Sequence, residues 1–406
     1  MATTFAGRSY VAPTRREPKV SRLARLDWTL LFVTAALVGL GLVAIYSAEW
    51  KFRHDRPELD AYKWVKRQGV AAVPGALAMA LAMAIDFRSL KAWAGRLYLG
   101  TCGMLVLVLK LGVTVNGARA WFRIGSFQLQ PSEFAKISLI WLLAVFVAES
   151  IEKPGPLPFD RFAICMFILV VPIGIVMLQP DFGTASVFVV IFMAVLLVGK
   201  ARARHIALIS AMSIVTVVAL YVSGTFQQYQ VARLASFAKP VVVKVDPNAP
   251  KVQQSQQQSI NNVIGQVNYA KQAISLGGLH GQGFAKGPTT NGGYIAEQKT
   301  DFIFSAIGEQ FGLIGTAVLL GLYLLMLFRM FRIAQVATDM AGTLFVSGAI
   351  ALFVWHIFEN VGMNMGIMPV TGIPLPLISY GGSSLIAFLL LIGMVESVYI
   401  HREARD

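Results

Sequence analysis

Residues 28–48 read WTLLFVTAALVGLGLVAIYSA, and none of these side chains is charged. An α-helix rises about 1.5 Å per residue, so a run of about 20 apolar residues crosses the roughly 30 Å hydrocarbon layer of a membrane. The run is longer than the apolar core of a cleavable signal peptide, which holds about 7–15 residues. We therefore predict that it is retained as a first transmembrane helix.

The remainder of the chain has the same apolar character. Of its 406 residues, 56% are hydrophobic and only 14% are charged, and the mean hydropathy is +0.64. Soluble domains carry about 25% charged residues, so the composition excludes a water-soluble protein. Short alternating segments typical of a β-barrel do not appear. We predict an all-α polytopic membrane protein whose ten transmembrane helices cover approximately residues 28–48, 69–85, 96–115, 132–151, 162–178, 184–199, 205–224, 303–330, 340–365 and 383–400.

The predicted helices form one membrane domain, residues 28–402, between an N-terminal arm, 1–27, and a tail, 403–406. The one long segment outside the membrane is 225–302, between helices seven and eight. Its Gln/Ser-rich part, 253–259, is typical of flexible chain. No internal repeat is evident, so a transporter built from repeats gains no support.

Basic residues indicate the orientation, because short loops rich in Lys and Arg stay in the cytoplasm. This rule accounts for the net charge of +14 without nucleic acid. We predict that both termini are cytoplasmic and that segment 225–302 is extracytoplasmic, although the first outer loop also carries bases, offset by acids. The predicted cytoplasmic bases are Arg8, Arg15, Arg16, Lys19, Arg22, Arg25, Arg88, Lys91, Arg96, Lys153, Arg161, Lys200, Arg202, Arg204, Arg329, Arg332, Arg402 and Arg405.

Ionisable residues at membrane depth are energetically costly and are functional candidates by default. Those expected near the outer face are Arg119, Arg123, Glu133, Lys136, Asp181 and Asp301, and those within spans are Glu309, Glu359 and Glu396. The cysteines, Cys102 and Cys165, lie in apolar runs and suit neither a disulfide framework nor a zinc site. The histidines are scattered, and no metal role is expected for them.

Structural roles are equally open at this point. Glu133 and Lys136, three residues apart, share a helix face and could form only an ion pair that locks the bundle. Asp181 could cap the sixth helix, and Asp301 could cap the eighth. Glu309 and Glu359 more simply serve packing or hydrogen bonding.

Six motifs together resemble the SEDS family (shape, elongation, division and sporulation) over residues 28–402. They are NGARAW at 116–121, QPSEFAK at 130–136, QPDFGTA at 179–185, GGLHGQG at 277–283, KTDFIF at 299–304 and PLPLISYGGSS at 374–384. Residues 370–376 and 307–312 resemble the elongation branch more than the division branch. The chain departs from the family pattern at 296–299, at 269–270 and in the Gln-rich insert.

The resemblance implies a peptidoglycan glycosyltransferase of the bacterial cytoplasmic membrane. Such enzymes polymerise lipid II on the outer face and act with a class B penicillin-binding protein of the elongation complex. Asp301 matches the family's essential loop aspartate, whereas Glu133, Lys136 and Asp181 match polar residues of its central cavity. Lys299, Thr300 and Ser379 lie in the matching motifs and are expected to bind substrate.

The expected chemistry needs one base and several cations. The leaving group is a lipid pyrophosphate, so the nucleophilic sugar hydroxyl chiefly requires a base, and Asp301 has the right chemical type. Arg119, Arg123 and Lys136 are candidates to hold the pyrophosphate. Asp301, Asp181 and Glu133 could instead bind Mg²⁺ or Mn²⁺ as a cofactor, but the sequence alone does not establish such a site.

Two other functions compete with the enzyme. Intramembrane charges also suit a flippase or transporter of lipid-linked precursors, and Glu359 and Glu396 keep that hypothesis open. The other competing function is that of a scaffold for the wall-synthesis complex. The crowding of polar residues at the outer face favours the enzyme, because a translocation path needs such groups along its whole length.

Overall fold

The structure is a computed structural model that describes residues 25–54, 60, 62–89, 91–115, 118–125, 127–151, 155–222, 233 and 251–402. These residues form twelve α-helices and three short strands. The helices are α1 Trp28–His54, α2 Lys63–Ala84, α3 Ala94–Leu111, α4 Pro131–Ile151, α5 Phe159–Leu178, α6 Phe182–Val198, α7 Ala203–Val222, α8 Lys251–Gly277, α9 Pro288–Gly292, α10 Ile303–Val336, α11 Met340–Asn364 and α12 Gly382–Ile400. The strands are β1 Val113–Val115, β2 Ala118–Ile124 and β3 Phe127–Leu129.

Each of the ten predicted spans coincides with a helix, namely α1–α7 and α10–α12. Eight of them are long and apolar enough to cross a membrane. The other two are α6, with 17 residues, and α7, with 20 residues. The predicted polytopic helical fold is therefore confirmed. Some ends differ: α2 begins at Lys63 and α10 continues to Val336, because a helix continues past the hydrocarbon where its polar ends meet water.

A small antiparallel sheet replaces the predicted loop before α4. Strand β2 pairs with β1 and with β3. Ala120 of β2 is fully buried. The prediction missed the sheet because two of its three strands have only three residues each, which is too short to show an alternating pattern.

The prediction that residues 253–259 form flexible chain was wrong, because these residues lie inside helix α8. Ile264, Ala270 and Ala273 of α8 are buried, and Ala270 and Ala273 lie three residues apart on one face of the helix. Residues 225–232 and 234–250 of the predicted long segment lie outside the described residues, as do 1–24 of the arm and 403–406. The predicted division into arm, membrane domain and tail stays a prediction.

Helix α10 is broken at Gly312, whose φ of 65° and ψ of −161° are non-helical. Backbone groups released there would be costly in a membrane if they stayed unpaired. The segment after α8, residues 277–283, pairs with them in both directions. The hydrogen bonds run from Gln282 N to Glu309 O (2.9 Å), from Gly283 N to Gln310 O (3.0 Å), from Leu313 N to Gly278 O (2.9 Å) and from Ile314 N to Leu279 O (3.2 Å).

The centre of the bundle is formed by α4 and α12, of whose spans 72% and 78% are buried. Trp141 of α4 packs edge-on against Phe87 and Phe345 there. Glu133 and Lys136 of α4 are both buried, so these two charged side chains face protein or an internal cavity and not lipid.

Candidate active site

A cavity of about 1670 Å³ opens between the helices and the loops before α10 and α12. One part of its wall is apolar and comes mainly from α2, α5 and α6. The other part is charged, and its ionisable lining residues are Lys66, Arg67, Arg123, Glu133, Lys136, Asp181, Arg233, Glu297, Lys299, Asp301, His356 and Glu359. The cavity thus joins an apolar wall to a dense group of charges.

Asp301 lies in this cavity and is held by its backbone. Its carbonyl oxygen accepts hydrogen bonds from Asn360 Nδ2 at 2.9 Å and from Asn364 Nδ2 at 3.1 Å, and its amide donates to Glu297 O at 3.0 Å. Helix α10 has Phe302 as its N-cap and no side-chain cap. The alternative in which Asp301 caps this helix was therefore wrong, and its carboxylate is available to the cavity.

The surroundings of Asp301 make its carboxylate a stronger base than an exposed one. Burial raises the pKa of Asp301 to about 6, and the charge of Glu297 adds to the rise. Arg233, the Thr300 hydroxyl and Lys299 oppose that rise in pKa. Because desolvation is the largest cause, the proton is held more tightly than in water, while the cations keep the charged form accessible near neutral pH.

Arg233 meets Asp301 across Gly372. A Cβ built on Gly372 would lie 3.2 Å from both Nη atoms of Arg233 and 3.4 Å from Asp301 Oδ2. Arg233 Nη1 also donates to Thr371 O at 2.5 Å. Sequence reasoning missed Arg233, because nothing in the spacing of segment 225–302 distinguishes this arginine from its other bases.

Glu133 and Lys136 form the predicted ion pair. Lys136 Nζ lies 2.8 Å from Glu133 Oε1, and both side chains are buried. Lys136 Nζ also lies 3.2 Å from His356 Nε2, and His356 Nδ1 lies 3.1 Å from Pro374 O. A carbonyl oxygen only accepts, so Nδ1 carries the proton and Nε2 accepts from the lysine. His356 was missed, although its place inside a span marked it as a candidate.

Asp181 is the predicted cap of α6. Its carboxylate accepts from Thr184 N at 3.0 Å and from Thr184 Oγ1 at 2.8 Å. Gln130 Nε2 donates to the same carboxylate at 3.4 Å. Asp181 also lines the cavity, so the capping role and a place in the site coexist.

Lys299 and Thr300 line the cavity beside Asp301. Lys299 Nζ lies 3.1 Å from Glu49 Oε1 and 4.8 Å from the centre of the Trp64 ring. Thr300 Oγ1 donates towards Glu297, with its carbonyl and Oε2 both at 3.2 Å. The segment before α10 is therefore joined to α1 and α2 at the cavity wall.

A family model described as cell cycle proteins of the FtsW, RodA and SpoVE type matches residues 28–404. The chain belongs to this family. It is 33% identical to stage V sporulation protein E of Bacillus subtilis, over 92% of this chain and 96% of that protein. It is 29% identical to the peptidoglycan glycosyltransferase RodA of Treponema pallidum, over 94% and 99% of the two chains.

Solved structures extend this similarity to the fold. A structure of a peptidoglycan synthase complex, described as coordinating polymerization and crosslinking, matches with a TM-score of 0.72 and 32% identity, over 94% of this chain and 99% of that one. The crystal structure of Thermus thermophilus RodA matches with a TM-score of 0.67 and 31% identity, over 94% and 98%. The predicted likeness to the elongation branch is consistent with these matches.

Two residues expected from the SEDS motifs lie away from the cavity. Arg119 is not among the lining residues, and its guanidinium donates to Leu109 O at 3.2 Å. Ser379 is buried in the turn before α12, where its Oγ accepts from Leu375 N at 2.9 Å. Arg119, Trp121 and Arg123 are alternate residues and share one face of β2. Only Trp121 and Arg123 line the cavity, because the Arg119 guanidinium is bonded to the last turn of α3.

The acidic residues do not fit the suggested divalent site. Among the described residues, no three His, Cys, Asp or Glu side chains group as metal ligands. Glu133 is paired with Lys136, and Asp181 is engaged in capping α6. The suggested set of Asp301, Asp181 and Glu133 is therefore not assembled here.

The remaining buried acids divide between the cavity and the packing. Glu359 lines the cavity, where its Oε2 lies 3.5 Å from Ser186 Oγ. Glu396 is not a lining residue, and its Oε2 accepts from Asp27 N at 3.3 Å. Glu309 hydrogen-bonds to residues 289 and 290. The predicted hydrogen-bonding role of Glu309 is confirmed.

Proposed function

We propose that the cavity is the active site at which this chain, a peptidoglycan glycosyltransferase, joins the sugars of lipid II into glycan strands. One observation carries the proposal: a single cavity places Asp301 and several cations beside an apolar wall. Relatives named RodA and MrdB are called peptidoglycan glycosyltransferases, which supports the same reaction class.

The shape of the cavity suits a lipid-linked sugar. Val70 is 72% exposed and Val170 is 54% exposed, and both line it. Side chains of this kind on α2 and α5 offer an apolar path between the cavity and the hydrocarbon. A polyprenyl tail can stay in lipid along this path while the pyrophosphate and sugars reach Asp301.

In the proposed step, a sugar hydroxyl of the acceptor attacks the anomeric carbon of the donor. The new glycosidic C–O bond forms as the bond from that carbon to the pyrophosphate oxygen breaks. Asp301 takes the hydroxyl proton, and undecaprenyl pyrophosphate leaves as an anion. General-base assistance of this kind typically contributes about 10²–10⁴-fold in rate.

The cations that line the cavity suit the departing pyrophosphate. Arg233 presents a planar guanidinium beside Asp301, and a guanidinium can donate two parallel hydrogen bonds to the oxygens of one phosphate. Lys299 and Arg123 also line the cavity. Holding these donors in place before the reaction stabilises the charge that develops in the transition state.

The proposed setting is the bacterial cytoplasmic membrane, with both termini inside and the cavity mouth outside. The proposed partner is a class B penicillin-binding protein of the elongation complex, which would crosslink the strands. The matching structure of a peptidoglycan synthase complex supports such a partner. Copurification from native membranes tests it, and full polymerase activity of the chain alone would argue against an obligate complex.

The deciding experiment for the function supplies purified protein with lipid II in detergent and in vesicles, and sizes the products on a gel. A polymerase gives long glycan strands. A flippase would move lipid II across the vesicle bilayer without forming strands, and a scaffold would do neither. Either of the last two results would overturn the proposal.

A further inference from the structure

Glu309, near the start of α10, uses its carboxylate to hold the short helix α9. The residue is fully buried and is not among the residues that line the cavity. Its Oε1 accepts from Thr289 N at 2.7 Å, and its Oε2 accepts from Thr290 N at 2.8 Å and from Thr290 Oγ1 at 2.5 Å. Three donors to one carboxylate make a strong anchor, because hydrogen bonds to a charged acceptor are about twice as strong as neutral ones.

The anchor continues towards the cavity through Gln298. Its Nε2 donates to Thr290 Oγ1 at 3.0 Å, and both side chains are buried. A threonine hydroxyl has one proton, which goes to Glu309, so its lone pairs remain for the amide of Gln298. The three residues after Gln298 are Lys299, Thr300 and Asp301, all of which line the cavity.

The packing at the anchor leaves little freedom. A Cβ built on Gly287 would lie 2.4 Å from Glu309 Oε2. The φ of Gly287 is −62°, so the site requires glycine for space and not for backbone conformation. On the other side of Asp301, Asn360 and Asn364 hold its carbonyl oxygen. Asp301 is therefore supported from two independent directions.

We propose that Glu309, Thr290 and Gln298 are positioning residues that fix Asp301 for catalysis through this buried hydrogen-bond chain. The inference rests on the proposed function, in which Asp301 is the base. The chain connects the body of α10 to the residue preceding Lys299, so loss of any link lets the segment that carries Asp301 move. A displacement of about 1 Å costs roughly 10²-fold in rate, and the loss falls on kcat and not on KM.

Thr290→Val is the most direct test, because it removes the hydroxyl while keeping the side-chain volume and the amide that donates to Glu309. Thr289→Val is the matched control, since Thr289 contributes only its backbone amide to the anchor. Thr290→Ser restores the hydroxyl. Each full-length variant is assayed with lipid II for kcat and KM, at equal amounts and with melting temperatures compared.

We expect Thr290→Val to lose about 10- to 100-fold in kcat with KM within about three-fold of wild type. Thr289→Val and Thr290→Ser should stay within about two-fold of the wild-type kcat. Gln298→Met breaks the same hydrogen bond from its other end and should likewise lower kcat while leaving KM nearly unchanged. Because the two variants remove one interaction, combining them should add little further loss.

Equal kcat values for Thr290→Val and Thr289→Val would overturn the inference, as would a Gln298→Met protein with wild-type kcat. Loss of folding in both link variants, with wild-type melting in Thr289→Val, would assign the chain to stability alone and would also overturn it. Failure of the proposed function looks different, because wild-type protein would then form no strands or Asp301→Asn would remain active.

Discussion

Asp301 combines a fixed backbone with a carboxylate that does not cap the helix beside it. Asn360 and Asn364 hold its carbonyl oxygen, and the N-cap of α10 is Phe302. Substitution at this position therefore tests chemistry without removing a helix cap.

Asp301→Asn should abolish polymerisation while leaving the fold intact. Asparagine keeps the shape and the backbone contacts but is not a base, so the rate should fall at least about 10²-fold. The measurement is glycan-strand formation by equal amounts of purified proteins with matching melting curves. Asp339→Asn is the control. Asp339 caps α11 through Gly342 N at 2.8 Å, and asparagine caps equally well; the variant loses only the part-exposed ion pair with Lys91, which is worth about 0–1 kcal/mol. A variant that keeps more than about a tenth of the rate is too active to have lost its base.

The pH dependence of kcat/KM should show an acid limb near pH 6. The pKa of Asp301 is raised to about 6, so the base is ionised and active above that pH and becomes protonated below it. Arg233 lowers this pKa, so Arg233→Met should move the limb to higher pH as well as weaken the reaction. A limb near pH 4, or a shift in the opposite direction in Arg233→Met, would contradict the assignment.

At the scale of the element, α4 carries a buried charge pair that is tied to α11. Lys136 contacts Glu133 and His356, so the lysine joins two neighbouring helices at the cavity wall. Removing one partner of a buried pair leaves an uncompensated charge, which costs about 3–5 kcal/mol.

Glu133→Gln and Lys136→Met should each lower the melting temperature and the activity, and the double variant should be less damaged than the sum. Contacting residues typically show coupling energies of about 0.5–3 kcal/mol. The free energy of unfolding in detergent is measured for the wild type, the two single variants and the double variant. The difference between the double variant and the sum of the single variants gives the coupling energy. Strict additivity would show that the two side chains do not interact.

Helix α10 depends on glycine where its hydrogen bonding breaks. Gly312 has φ 65° and ψ −161°, a region essentially restricted to glycine, where other residues pay about 1–3 kcal/mol. A Cβ there would also lie 2.4 Å from Gly281 N. Residue 312 therefore sets the point at which segment 277–283 joins the helix.

Gly312→Ala should destabilise the protein by at least about 1–3 kcal/mol. The matched control is Gly321→Ala on the same helix, where a Cβ meets nothing within 4 Å; it should be neutral or stabilising by up to about 1 kcal/mol. Thermal unfolding of the two variants in one detergent makes the comparison. Equal melting temperatures would show that the break at Gly312 does not need glycine.

At the scale of the whole molecule, the proposed orientation puts the charged cavity and segment 225–302 outside the cell. A cysteine introduced at Gln256 should react with an impermeant reagent in intact cells. A cysteine introduced at Arg202 should react with it only after the cells are permeabilised. The native Cys102 and Cys165 are buried, so background labelling should be low. Labelling of position 202 in intact cells would reverse the proposed topology.

Features that depend on neighbours in sequence were predictable. Apolar runs of about 20 residues mark spans wherever they occur, and all ten coincide with helices. The Glu133–Lys136 pair and the Asp181 cap join residues three apart, a separation that helix geometry brings together. The sheet before α4 was missed because two of its strands are very short. Helix α8 was missed because its Gln/Ser-rich stretch has the composition of flexible chain.

Features that depend on distant residues appeared only when the helices packed. Arg233 faces Asp301, His356 contacts Lys136, and Glu309 holds Thr290, each across a separation that no local pattern encodes. The same packing moved Arg119 and Ser379 out of the predicted site. By itself the sequence determined a ten-helix membrane fold and its family, because hydrophobicity and motifs act locally. The tertiary structure decided which charges share a cavity, because that depends on how helices far apart in the chain align their faces.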